Sequence, residues 1–354
     1  MGRLLRLSAA ALLFAASVYA QAPTLTTVTF NGQTETLTPG ALESWKEAHK
    51  GKTSESPYGY TPSLSSTVAY TVVFSLLTIV HLVLAIKFKY ASAIGTMVVG
   101  GILEIIGWAG RLWSNKNILL WDPFIMQTCC LIIGPVFFSA WDYTLLGFCI
   151  RYLGSEYSLI PPNAYIIIFV AADIISLILQ AVGGGGAAVA AQDYKDTTES
   201  THIMLAGILF QLATTTIFVV LAIDFIVRVM FHKPYPAKLH NFMSCKCLRR
   251  RKNKTPEDAL PTSEGSSVTK PEGPRDKRDV RKAQILLAGV AWATLMIYIR
   301  GIYRSVELAQ GWSGYVITHE VYFIWLDGFI MVLCMAGLAV THPGFLLPND
   351  GKWK

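Results

Sequence analysis

After the first 65 residues the chain alternates between long apolar segments and short polar ones. Each apolar segment has roughly 20 residues or more, and at 1.5 Å per residue a helix of that length crosses a bilayer. The pattern predicts an all-α membrane protein, a seven-transmembrane helix bundle over residues 66–345. The predicted spans are 67–88, 91–112, 124–150, 164–188, 203–230, 283–305 and 317–341.

A shorter apolar run stands at the amino end. Two arginines precede it, and it extends from Leu7 to Ala20, where small residues suit signal peptidase. Its roughly 14 residues are few for a full span. We therefore predict a cleaved signal peptide over 1–20, the alternative being an uncleaved anchor helix. Residues 21–65 are rich in Thr, Ser, Gly and Pro, and we expect at most a short mobile extracellular or lumenal segment there.

The composition supports a membrane protein and changes the meaning of the net charge. Of the 354 residues, 53% are hydrophobic and 15% are charged, whereas a soluble domain carries about a quarter charged residues. The formal charge of +7 would suit a nucleic-acid partner, but half of the 30 basic residues lie between Arg228 and Lys282. A block of basic residues next to a span indicates which side of the membrane the loop faces. No nucleic-acid partner is therefore predicted.

The basic residues and the leader peptide indicate the same orientation. With the amino end outside, the loops that contain Lys87, Lys89 and Arg151 face the cytosol, as does the basic loop at 231–282. This distribution follows the positive-inside rule. The carboxyl end, 346–354, is then a cytosolic tail.

The loop at 231–282 has too few large apolar residues to fold by itself, so we predict a disordered linker. Its arginine cluster, at 249–251, either binds anionic lipid headgroups or acts only as a topogenic signal. Cys245 and Cys247 beside it are candidates for palmitoylation. The four cysteines within predicted spans are interpreted as small packing residues.

Polar and ionisable side chains recur at helical spacing within the predicted spans. Glu104, Trp108 and Arg111 share one helix face, and Arg300, Arg304 and Glu307 share another. An ionisable side chain inside a bilayer costs roughly 2.5 to 3.5 kcal/mol, so those that remain usually face the bundle interior. The candidate substrate-binding residues are Glu104, Trp108, Arg111, Asp173, Gln180, Gln211, Arg300, Tyr303, Arg304, Glu307, His319, Glu320, Tyr322 and Asp327.

The alternating direction of the spans places these candidates, except for the central Asp173, in the outer half of the membrane. Five helices are thus expected to line one hydrated chamber. Three arginines there oppose four carboxylates, an excess of one acid. We expect Glu104, Glu320 and Asp327 to accept an amine or hydroxyl head, with the arginines orienting them. The alternative is that these charges only pair with one another to set helix register.

The same residues carry a resemblance to a known family. The motifs are Glu104-Ile-Ile-Gly-Trp-Ala-Gly-Arg111, Gln127 before Pro135 and Tyr143, Phe169 with Asp173 and Gln180, Gly207 with Gln211, Arg300 to Glu307, His319-Glu320 with Tyr322 and Asp327, and His342-Pro343-Gly344. Together, from about Tyr60 to Gly344, they resemble the fungal RTA-like family of seven-span lipid-translocating exporters. The resemblance implies a fungal source, a plasma-membrane or endomembrane location, and an activity such as sphingoid long-chain-base release, 7-aminocholesterol resistance or porphyrin uptake.

These observations predict a membrane transporter that exports or flips an amphipathic, lipid-like molecule. No phosphate-binding loop of the form GxxxxGK[ST] occurs, so ATP hydrolysis is not expected. We predict no enzymatic activity, cofactor or metal, and the expected partners are membrane lipids and an amphipathic small molecule. One alternative is a seven-span receptor or sensor for such a ligand. The other is an intramembrane metal-dependent hydrolase that uses His81, Asp142, His319 or Glu320.

Overall fold

The computed structural model describes part of the chain. The described residues are 26–30, 33–37, 44, 58, 60–118, 120–192, 197–236, 277–311 and 314–347. The predicted signal peptide, most of the basic loop with its two cysteines, and residues 348–354 lie outside them.

Within the described part, seven helices are long and apolar enough to cross a membrane, which confirms the predicted fold class. They are α1 (Leu64–Phe88), α2 (Ala91–Lys116), α3 (Trp121–Leu153), α4 (Pro162–Gln192), α5 (Thr198–Phe231), α6 (Lys277–Ala309) and α7 (Glu320–Leu346). The chain is an integral, multi-pass membrane protein.

Helix ends differ from the predicted spans by a few residues because helical hydrogen bonding continues past the apolar region. α6, for example, begins six residues before the predicted position. α7 begins three residues later than predicted, because the backbone at His319 is extended and interrupts the helix after the short turn Tyr315–Thr318.

Two of the helices contain π-helical turns. One, Ile94–Val98, lies near the start of α2, and the other, Ile324–Phe329, follows the first turn of α7. Such turns displace one backbone hydrogen bond and are frequent at functional sites. Hydropathy contains no signal for either of them.

A β-hairpin occurs in the segment before the helices. Strand β1 (Thr26–Phe30) pairs antiparallel with β2 (Gln33–Leu37), and Phe30 is opposite Gln33. The sequence between them is Asn-Gly, the dipeptide that two-residue hairpin turns prefer. Composition gave no indication of this hairpin, whereas the dipeptide between two alternating segments could have predicted it.

The helices form a closed up-and-down ring in which consecutive helices are neighbours and α7 returns to α1; α3 also contacts α6 across the ring. In its most apolar window, α2 is 61% buried and α1 only 22%. Apolar side chains such as Leu76, Ile79 and Val83 on α1 are exposed, and they form a surface suited to acyl chains. α2 therefore supplies interior side chains, whereas α1 faces lipid.

The contact between α4 and α5 depends on a glycine. A Cβ at Gly183 would lie 2.3 Å from the backbone nitrogen of Met204, so no larger residue fits without separating the helices. Small residues at this spacing let transmembrane backbones approach closely. The close approach brings Gln180 of α4 next to Gln211 of α5.

Candidate functional site

The charged residues of α2, α6 and α7 lie together inside the bundle. We call them the charge cluster: Glu104, Arg111, Arg300, Arg304, Glu307, Glu320 and Asp327. Its arginines form three ion pairs, Arg111 Nη2 to Glu320 Oε1 at 2.8 Å, Arg300 Nε to Asp327 Oδ1 at 2.7 Å, and Arg304 to Glu307. The first two join different helices, so they also fix how α7 sits against α2 and α6.

Arg300 has a second anchor that depends on a proline. Pro135 lies within α3 and has no backbone N–H, so the carbonyl of Leu131, four residues earlier, lacks its helical donor. Arg300 Nη2 donates to that carbonyl at 2.5 Å.

Asp327 occupies the π-helical turn of α7. The turn changes the hydrogen-bonding pattern, and the Tyr70 hydroxyl of α1 donates to the Ile324 carbonyl at 2.9 Å. A Cβ at Gly328 would lie 2.6 Å from the Trp108 ring, so α7 also packs tightly on α2 here. The carboxylate that pairs with Arg300 is thus set in an irregular, closely packed stretch of helix.

Glu104 is the carboxylate without an arginine. Its side chain is 1% exposed, and its Oε1 has no hydrogen-bond partner in the described part of the chain. Oε1 lies against α3, where a Cβ at Gly134 would come within 3.1 Å of it. The excess acid counted from the sequence is therefore Glu104. It lies near the midpoint of α2.

The segment before α1 closes one end of the charge cluster. We call Tyr58 and residues 60–63 the cap. The Tyr60 hydroxyl accepts from Arg111 Nη2 at 2.9 Å, and the backbone N–H of Ser63 donates to Glu320 Oε1 at 2.8 Å. The Tyr58 hydroxyl contacts Ser114 Oγ and Gln127 Oε1, each at 2.8 Å. The cap thus binds both members of the Arg111–Glu320 pair.

Burial changes the acidity of the cap tyrosines. Desolvation raises the pKa of Tyr58 to about 12 and raises that of Tyr60 above its ordinary value. Both hydroxyls therefore stay protonated at neutral pH, and neutral phenols can donate and accept hydrogen bonds at the end of the cluster.

Two small cavities flank Arg304. The first, about 40 Å³, lies between the cap and the Arg304–Glu307 pair. The second, about 30 Å³, lies between Arg300, Arg304, Gln180 and Gln211. Each could hold a water molecule, but ligand sites measure roughly 300 to 1,000 Å³. The two cavities are much smaller than the expected open chamber, because ion pairs and aromatic rings fill the space among the described residues.

The two glutamines form a neutral polar group beside the second cavity. Gln180 Nε2 donates to Gln211 Oε1 at 3.0 Å and to Ser176 Oγ at 2.7 Å. Because Arg300 and Arg304 line the same cavity, α4 and α5 share it with α6. The second cavity therefore adds α4 and α5 to the helices that surround the charge cluster.

Three predicted site residues do not join this arrangement. His319 and Tyr322 are exposed, and His319 Nδ1 bonds only locally, 2.7 Å from the Tyr315 carbonyl. They lie apart because the helix is interrupted at His319. Asp173 is buried, but the Tyr143 hydroxyl contacts it at 3.1 Å within an aromatic cluster.

The other two predicted site residues, Trp108 and Tyr303, are buried. The Tyr303 hydroxyl donates to Glu307 at 2.8 Å.

Sequence reasoning missed the cap and the Leu131 carbonyl. The tyrosines near residue 60 have no repeat or charge that marks them, and a backbone acceptor has no residue type. A proline inside an apolar span was the only available signal for the second. In the described part of the chain, no three His, Cys, Asp or Glu side chains converge as metal ligands.

Comparisons with known proteins agree with this architecture. The family model described as "RTA1 like protein" matches residues 97–350. Sphingoid long-chain base transporter RSB1 of Saccharomyces cerevisiae is 35% identical over 288 residues, covering 81% of this chain and 73% of the relative. Protein RTA1 of the same yeast is 26% identical, covering 81% and 84% respectively.

A third relative is named for a different activity. Protoporphyrin uptake protein 1 of Saccharomyces cerevisiae is 23% identical over 319 residues, covering 80% of this chain and 90% of the relative. No solved structure matches significantly. On the family match and the 35% identity over most of its length, the chain belongs to the RTA1-like family.

Proposed function

We propose that this protein is a transporter that moves an amphipathic lipid with an amine head between the interior of the membrane and the medium, and that it is not an enzyme. The observation that carries the proposal is the charge cluster: three ion pairs and one unpaired carboxylate in a bundle whose outer surface is apolar. The name of the 35% identical yeast relative, a sphingoid long-chain base transporter, supports an amine-bearing cargo.

The charges suit such a cargo for a physical reason. A long-chain amine carries its positive charge on an apolar chain, so it needs a carboxylate next to a lipid-facing surface. Glu104 has no competing arginine, whereas Glu320 and Asp327 become available only when their ion pairs separate. The arginines balance the charges of their partner carboxylates inside the membrane, where a lone charge would be expensive.

Transport requires the closely packed charge cluster and its cap to open. The cap covers the Arg111–Glu320 pair, and the cavities are too small for a lipid head. We infer that the cap and α7 move away from α2 to admit or release the cargo, with the interrupted helix at His319 as the hinge region. The predicted orientation places this end outside, so release occurs at the exterior face, most simply of the plasma membrane.

The test is reconstitution of the purified protein into liposomes. The probe is a radiolabelled sphingoid base, and the measurement is how fast it becomes extractable by albumin on the opposite side. We expect wild-type protein to accelerate this movement over protein-free liposomes, and to move a sterol that lacks an amine more slowly.

Glu320→Gln tests the site. It removes one charge of the Arg111–Glu320 pair, and we expect a clear loss of movement at equal protein abundance. Asp224→Asn is the matched control, because Asp224 pairs with Arg228 near the far end of α5, away from the charge cluster. Equal loss of abundance and movement would instead mean that the pair only maintains the fold.

A further inference from the structure

The energy source of this transport has a structural candidate in Glu104. Its carboxyl group is buried near the midpoint of α2, and the three arginines of the charge cluster are paired with other acids. The charge cluster is therefore neutral when Glu104 is protonated and carries one negative charge when it is not. An unpaired carboxylate in a water-free interior is expensive, so it exists there only with a proton or another cation.

The surroundings of Glu104 do not replace that cation. The charged groups that face it are Arg300 of α6, which is paired, and Asp327 of α7, which repels it; Cys130 of α3 and Cys334 of α7 are the nearby thiols. From α1, Tyr70 reaches only as far as the Trp108 ring, on which it stacks at 4.5 Å between centroids. No facing group from these helices supplies an uncommitted positive charge.

We propose, building on the transport function above, that Glu104 is a proton-exchange site. When the ammonium head of the cargo arrives, the O–H bond of the Glu104 carboxylic acid breaks, its electron pair stays on the oxygen, and the carboxylate pairs with the ammonium. The released proton leaves toward the end of the bundle opposite the cap. When the cargo leaves past the cap, a proton from that side re-forms the O–H bond. One cation is exchanged for one proton, so each cycle is electroneutral and a pH gradient can drive it.

We place the route of that proton along other buried polar atoms. Asp142 Oδ1, His81 Nδ1 and His342 Nε2 are buried and have no hydrogen-bond partner among the described residues. We count 1.5 Å per residue from the helix ends that lie opposite the cap. On this count His81, Asp142 and Glu104 lie roughly 10, 16 and 20 Å along their helices. His342 lies near the end of α7.

These groups are also neighbours across the helices. His342 stacks on Trp141, the residue before Asp142 in α3, with the ring centroids 6.4 Å apart. His81 Nε2 contacts the carbonyl of the adjacent Met335 at 3.0 Å. Chains of Asp, Glu and His side chains inside membranes are typical of proton relays. Because this route leads to the end of the bundle opposite the cap, the proton leaves on the side opposite to the one where the cargo leaves.

The experiment uses full-length protein in liposomes that contain a pH-sensitive dye. The probe is N,N,N-trimethylsphingosine, a quaternary ammonium amphiphile that carries no exchangeable proton on nitrogen. Any proton movement that accompanies its transport must therefore pass through the protein. We expect one proton to move against each amphiphile, a pH gradient to accelerate transport, and a potassium diffusion potential to have no effect.

Glu104→Gln should reduce the coupled proton movement roughly tenfold or more, as expected for loss of one charge-assisted interaction. Glu104→Asp keeps the carboxyl group and should retain coupling at a lower rate. This variant tests the proposal if Glu104→Gln does not fold. Asp142→Asn should slow proton movement, and Asp224→Asn should match wild type.

The outcomes separate the two proposals. If wild-type protein moves the quaternary amphiphile without a counter-moving proton, or if Glu104→Gln retains the same pH-driven transport, proton exchange at Glu104 is wrong while transport stands. If wild-type protein does not accelerate the amphiphile at all, the transport function itself is wrong.

Discussion

Arg300 donates from Nη2 to the carbonyl of Leu131 at 2.5 Å, across the interface between α6 and α3. That carbonyl is available because Pro135 has no N–H to offer it. The contact places the guanidinium where it also pairs with Asp327 on α7. One proline on α3 therefore determines the position of a charge on α6 and, through that charge, of a carboxylate on α7.

Pro135→Ala should restore the helical N–H and let α3 bind the Leu131 carbonyl internally. We expect transport of a long-chain amine to fall several-fold because Arg300 loses an anchor, while thermal stability stays the same or rises, since proline inside a helix costs about 3 kcal/mol. Pro162→Ala, at the first position of α4 where proline is tolerated, is the control. Unchanged transport in the Pro135 variant would show that the anchor has no functional role.

Tyr60→Phe should weaken the cap, because it removes the hydroxyl that accepts from Arg111. A hydrogen bond to a charged group contributes about 1.5 to 3 kcal/mol, so we expect faster opening and a higher initial transport rate in liposomes. Tyr157→Phe, on the 3-10 turn after α3 at the other end of the bundle, should have no effect. A lower rate in Tyr60→Phe would mean that Tyr60 binds the cargo instead of closing the site.

The cap should also loosen at high pH. Burial raises the pKa of Tyr58 from 10.0 to about 12, so the folded state retains this proton after the unfolded state has lost it. The resulting stability is complete below about pH 10 and is lost as the pH rises toward about 12. The thermal unfolding midpoints of wild type and Tyr58→Phe should therefore converge over this pH range. A difference that is constant with pH would contradict the assignment.

Gly183→Ala should separate α4 from α5, since its Cβ would lie 2.3 Å from the Met204 backbone nitrogen. Overpacking of this kind costs about 1 to 3 kcal/mol. Gly185→Ala is a matched control two residues away: nothing lies within 4 Å of its added Cβ, and alanine favours a helix over glycine by about 1 kcal/mol. Thermal unfolding in detergent should rank the variants with Gly185→Ala highest; equal destabilisation would refute the close-contact explanation.

His319→Ala should leave transport within about twofold of wild type, because the side chain is exposed and bonds only to its own turn. Arg304→Ala, which removes the residue between the two cavities and leaves Glu307 unpaired, should abolish most of the activity. Uptake assays on both variants at equal abundance provide the comparison. A strong defect in His319→Ala would return this residue to the binding site.

The sequence alone predicted the seven spans. It also indicated which charged residues meet inside the bundle, and that carboxylates outnumber arginines there by one. Burial of an ionisable residue in a bilayer is costly, so each such residue at helical spacing had to face the interior.

Only the tertiary structure decided which charges pair, and therefore which acid is left over. Arg111 could have reached Glu104 on its own helix, but it binds Glu320 of α7 and the cap. The choice depends on helix rotation, on the π-helical turn around Asp327 and on the carbonyl freed by Pro135, none of which has a periodic signal in the sequence. Side-chain pairing across helices is a property of their packing, whereas hydropathy records only what each helix must bury.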